Sequence, residues 1–224
     1  MAPDDSAGPV QRAGRGFAYL LGAKVFFLLT GYGVIVTLSW LLGPVLYGVY
    51  GLVLGAIQVS DNVIVTSTVQ GVSRYTSEDT GRSGPVKVAA LRMQALLGGG
   101  AAALFALAAP LIASFERDPS LTPYLRLAAV VVLLYALYSV FVGSLNGERR
   151  FALQAGIDVL YAALRAGLVV ALAAAGLAVW GAISGFVAAS MIILVVAFFW
   201  VRERIWRRDP TERAAASVPS RSVS

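Results

Sequence analysis

The chain has no cysteine and no histidine among its 224 residues, and only 13% of them are charged. Without cysteine, disulfides and thiolate metal sites are excluded, and redox compartment leaves no mark. Without histidine there is no imidazole to act as a general base near neutral pH. The shortage of charge is matched by a 58% hydrophobic content and a mean hydropathy of +0.76. A water-soluble fold has no interior large enough to hide so much apolar surface.

The apolar residues fall in blocks of about 20 or more, the length that crosses roughly 30 Å of hydrocarbon at 1.5 Å per residue. Buried strands run 4 to 8 residues and barrel strands alternate, so both are excluded. The blocks predict an all-α membrane protein, a multi-pass bundle of six transmembrane helices over about 17–41, 46–71, 86–112, 121–144, 152–176 and 180–201. Residues 1–16 form a polar segment, 17–202 the bundle, and 203–224 a basic and then disordered tail. The first block is longer than a signal-peptide core and has no A-x-A cleavage site, so it reads as an anchor.

A net charge of +6 would ordinarily raise the question of nucleic acid, but the basic residues lie in short loops between apolar blocks, where they act as topology signals. With six spans, Arg12 and Arg15, then Arg74, Arg82 and Lys87, then Arg149 and Arg150, and finally Arg202, Arg204, Arg207 and Arg208 all fall on one side. The other side has Arg117 and Arg126 alone. The positive-inside rule therefore predicts an inner-membrane protein with both termini cytoplasmic. Trp40 and Trp180 fall at outer span ends, and Trp200 and Trp206 at the last inner end, as aromatic belts require.

Lipid provides no hydrophobic drive for helices to associate, so close contact relies on small residues. Gly51 with Gly55, the run Gly98, Gly99 and Gly100, and Gly181 with Gly185 are the expected contact faces. The triple glycine is also the expected bend, since each weakens a helix by roughly 1 kcal/mol relative to alanine.

Ionised side chains inside the bilayer cost at least about 2.5 kcal/mol each and point to function. By rise per residue, Lys24 and Arg92 lie roughly 10 Å from the inner boundary, Asp158 about 9 Å, Asp61 about 15 Å and Arg165 about 20 Å. Asp158 and Arg165 stand two helical turns apart and share a face with Tyr161. Lys24 and Asp61 are at comparable depth on consecutive spans and are expected to pair. Lys24, Asp61, Asp158, Tyr161 and Arg165 thus outline a candidate substrate or ion pathway, while snorkelling accounts for Arg92. The alternative for the others is neutral pairs that hold helices together.

Three motifs carry a resemblance. Leu42, Gly43, Pro44, Tyr47, Gly48 and Tyr50 make an L-G-P-x-x-Y-G-x-Y pattern between the first two spans. Gly143 and Gly147, with Arg149, Arg150 and Phe151 after them, make a G-x-x-x-G, basic pair and aromatic sequence between the fourth and fifth. Residues 176–185, GLAVWGAISG, form a tight fifth-to-sixth connection. In order and spacing these resemble the N-terminal half of the polysaccharide flippases of the multidrug/oligosaccharidyl-lipid/polysaccharide exporter superfamily.

The resemblance implies one bundle of a two-bundle alternating-access transporter for lipid-linked glycans, without cofactor or metal. A second copy or a partner subunit would complete the cavity. Lys24 and Arg165 would offset pyrophosphate charge, and Asp61 and Asp158 would orient them or contact sugar hydroxyls. A cation-coupled multidrug antiporter, with Asp61 or Asp158 as its ion site, and a non-transporting membrane interaction protein are the competing readings. The short loops and the missing histidine and cysteine argue against an enzyme.

Overall fold

The computed structural model describes residues 9–78, 83–148 and 150–205. Their side chains are described from Tyr19 to Trp200, apart from Asp61 and those of residues 63–68, 72–73 and 75–88. Every described element is helical: α1 (Pro9–Glu78), α2 (Ser83–Phe115), α3 (Leu121–Gly147), α4 (Phe151–Leu172), a five-residue π-helical segment (Ala173–Leu177) and α5 (Ala178–Ile205).

The six expected spans are matched in part. Four stretches are long and apolar enough to cross a membrane: Tyr19–Ser60, Ala89–Phe115, Leu121–Gly147 and Phe151–Trp200. The difference arises because two of them, at 42 and 50 residues, are about twice the length a bilayer needs and run on through the expected connections without an intervening loop. Each is nevertheless broken by a glycine in a backbone conformation that no helix contains.

In α1 that residue is Gly43, at φ 70° and ψ 173°, a region open essentially to glycine alone. Pro44 follows, and a residue before proline is pushed out of the helical region, while proline itself suits the first turn of a new helix. The chain folds back here. Phe27 and Tyr50, twenty-three residues apart, would stand roughly 34 Å apart on a straight helix, yet both lie against the guanidinium of Arg165. Gly43→Ala should therefore strain the turn by about 1–2 kcal/mol. The check is its thermal midpoint in detergent, expected to fall by several degrees.

The second break lies at Gly176 (φ 90°, ψ 2°) and Ala178 (φ 45°, ψ −125°). Beyond it α5 runs antiparallel to α4, in a register marked by Leu172 against Gly181 and Leu168 against Gly185. Ala178 is a non-glycine residue at positive φ, so Ala178→Gly should relieve local strain and raise the melting temperature by a few degrees. A lowered midpoint would show the turn to be shaped otherwise.

Glycine contact faces hold in part. A Cβ on Gly181 or Gly185 would strike the backbone of α4, and one on Gly98 would strike the Cβ of Ala136 in α3. Gly51 and Gly55 have open space instead, so the expected contact face on the second arm of α1 is not there. Nor is the bend at Gly98–Gly100: α2 runs unbroken through it, because the close approach to α3 fixes this stretch from outside. The core lies between α1, α3, α4 and α5, where Leu38, Val53, Ile57, Leu125, Val131, Val169, Ile183 and Ile193 are buried. The outward faces carry Leu28, Leu96, Leu104, Leu107 and Trp40, the last 86% exposed, as lipid-facing surfaces do.

Hydroxyls within the helices return to their own backbone. Thr30, Ser39, Ser60, Ser139, Ser144, Ser184 and Ser190 each donate to a carbonyl three or four residues back. A helix surrounded by hydrocarbon has no water to satisfy them otherwise.

Candidate functional site

Arg165 lies where α1, α3, α4 and α5 converge. Its guanidinium carbon is 4.4 Å from the ring centroid of Phe186 in α5 and 5.7 Å from that of Phe27 in the first arm of α1. It also interacts electrostatically with Tyr161, Tyr135 and Tyr50. No carboxylate among the described residues reaches it. A guanidinium stays charged at any accessible pH, and aromatic faces offer a desolvated cation on the order of 2 kcal/mol each without neutralising it.

The rings around it touch one another. Tyr135 packs edge-on against Tyr161 at 5.6 Å and Phe186 at 6.2 Å, and Tyr138 lies 6.2 Å from Tyr161. The register of the antiparallel α4–α5 pair explains the convergence, since it puts Arg165 beside Phe186 and the Tyr161 hydroxyl 3.5 Å from the Ser190 Oγ. Gly181 and Gly185 lie on the same stretch of α5 and let the two helices come that close.

Two turns back along α4, Asp158 is half-buried and accepts a hydrogen bond of 3.1 Å from the Tyr138 hydroxyl. The nearest cationic influence upon it comes from Lys24 on the first arm of α1, an exposed side chain. Asp158 and Arg165 thus share a helix but have separate surroundings. Asp61 lies in α1 with its side chain outside the described ones, so its expected pairing with Lys24 does too. The same holds for Arg12, Arg15, Arg82, Lys87, Arg149, Arg202, Arg204, Arg207, Arg208 and Trp206. Arg92 is exposed on α2.

The motif residues are structural in different ways. Gly43 and Pro44 make the turn in α1; Tyr47 packs 6.3 Å from Tyr50; Gly48 has open space; Gly143 and Gly147 are buried near the end of α3. Tyr50, expected to be a motif residue alone, is 2% exposed and faces Arg165. Phe27, Tyr135, Tyr138, Phe186 and Ser190 had not been singled out. One sequence signal pointed to some of them: tyrosines favour membrane interfaces, and Tyr135 and Tyr138 stand in mid-span, one turn apart.

A protein-family model described as "Polysaccharide biosynthesis protein" matches residues 37–215. That stretch holds both glycine turns, Tyr50, Asp158 and Arg165, and begins after Lys24 and Phe27. No curated protein and no solved structure matches the chain.

Proposed function

Because the chain belongs to the polysaccharide biosynthesis protein family, we propose that this membrane protein is part of a transporter that flips lipid-linked oligosaccharide or polysaccharide precursors across the cytoplasmic membrane. Its two long apolar helices, each folded back at a glycine, would then cross twice, and with α2 and α3 the chain makes six passes. An even count returns it to the side where it began, which the basic loops identify as cytoplasmic. A second bundle facing this one would close the pathway, as in transporters built from paired repeats.

One observation carries the reading: Arg165 lies among the core helices with aromatic rings around it and no described carboxylate within ion-pair distance. A cation kept unneutralised inside a membrane is costly, and its use is to meet an anion that must pass. The phosphate groups of a lipid-linked glycan are such an anion, and a guanidinium matches their geometry. Asp158, held by Tyr138 two turns along α4 from Arg165 and under the influence of Lys24, would be the next polar group on such a route.

The test uses cells whose surface glycan depends on this protein. Wild type restores the glycan, whereas Arg165→Gln, inserted at the same level, leaves the lipid-linked intermediate on the inner leaflet. Normal export by that variant would remove the assignment.

A further inference from the structure

Among the described residues, two buried side-chain atoms, Gln94 Nε2 and Gln154 Oε1, lack a hydrogen-bond partner, and the buried Tyr50 hydroxyl has no acceptor for its proton. In a bundle whose serines and threonines satisfy themselves on their own helices, each is an exception. Of the three, Tyr50 lies beside a charge: it is 2% exposed, and its hydroxyl falls within the electrostatic reach of Arg165.

The two groups have complementary deficits. Arg165 has donors and a full charge but no described anion; Tyr50 has a donor and no acceptor. The Tyr50 oxygen accepts from the guanidinium, but a guanidinium accepts no hydrogen bond, so the phenol's own proton has no acceptor. An oxyanion resolves both at once, accepting from the guanidinium on one oxygen and from the phenol on the same or a neighbouring one. The aromatic rings of Phe27 and Phe186 sit against the guanidinium, which limits how it can turn and leaves its orientation prepared before an anion arrives. Arg165 is half-buried rather than sealed, so the anion has a way to it.

We propose that Tyr50 and Arg165 form a two-donor site for a phosphate-type oxyanion, with Tyr50 setting its specificity. The proposal rests on the transport reading only for its biological use, not for the chemistry of binding. Phosphate esters present several oxygens on one centre and engage both donors, whereas chloride offers neither the geometry nor the charge. The ring of Tyr50 keeps its packing in phenylalanine, so the hydroxyl can be removed by itself.

Full-length protein in phosphatidylcholine nanodiscs is titrated calorimetrically with inorganic pyrophosphate. Wild type should bind; Tyr50→Phe should bind about tenfold more weakly with unchanged helix content and thermal midpoint; and Arg165→Gln should not bind measurably. Undecaprenyl phosphate is then added to the discs. If it displaces pyrophosphate, the site's ligand is a lipid phosphate; if it does not, the ligand is a free oxyanion, and the two-donor site stands in either case. Equal affinity in Tyr50→Phe, or no binding by wild type, overturns the proposal. Weakened binding in Tyr50→Phe with glycan export intact would keep the site and detach it from transport. Lost export with binding unchanged would keep transport and remove the site.

Discussion

Replacing Gly181 or Gly185 with leucine is expected to remove about 3 kcal/mol of stability and to lower the thermal midpoint in detergent by on the order of 10 °C. The basis is distance. A Cβ at Gly185 would come 2.6 Å from the carbonyl oxygen of Leu168, and one at Gly181 would fall on the backbone of Leu172. Those atoms belong to the α4 backbone and cannot turn aside as a flexible side chain does, so α5 must move away along this whole stretch. In lipid that separation has no hydrophobic penalty to oppose it, and the contact is lost rather than compressed.

The consequence extends inward, because the same register holds Arg165 against Phe186 and Tyr161 near Ser190. Size-exclusion profiles after heating measure the effect. Gly51→Ala and Gly55→Ala, where an added Cβ meets nothing within 4 Å, should leave the profile as it is. A Gly181→Leu protein that melts with wild type would mean the two helices do not pack in this register.

Arg165→Met is expected to abolish export while leaving stability within about 1 kcal/mol of wild type. Two terms nearly cancel. Removing the charge recovers roughly 2.5–3.5 kcal/mol of membrane desolvation, and forfeits two cation–π contacts on the order of 1–2 kcal/mol each. Methionine fills much of the space with a flexible apolar chain. Lost function with retained stability separates a working cation from a structural one, for which the two would fall together.

Arg165→Lys should fall between, exporting about tenfold more slowly, since an ammonium keeps the charge but loses the planar fork and stacks less well on Phe27 and Phe186. Melting curves beside rates of glycan appearance at the surface decide it. A large drop in midpoint for Arg165→Met would mark the residue as a strut and weaken the transport reading.

Membrane character was legible in the chain because hydrocarbon thickness imposes one length on every apolar block, and Arg165 stood out because a charge in such a block is rare. The turns were legible in type, since Gly43 before Pro44 leaves little choice of backbone. Other expectations failed where the deciding neighbour lay on another helix. Gly98–Gly100 looks like a bend in isolation, yet α2 stays helical through it with Ala136 against Gly98; Gly51 and Gly55 look like a contact face, yet a Cβ on either would meet nothing within 4 Å.

By itself, the sequence determined that this protein is helical, lives in a membrane, doubles back at glycines and carries a few ionised groups at depth, because each of these follows from local composition, length or a single backbone constraint. The tertiary structure alone decided which groups meet. Tyr50, Tyr135 and Phe186 are brought to Arg165 from three different helices, and Asp158 receives Tyr138 rather than its neighbour on α4. Such encounters depend on helix register and rotation, which are set by the packing of whole faces and leave no mark at any one position of the chain.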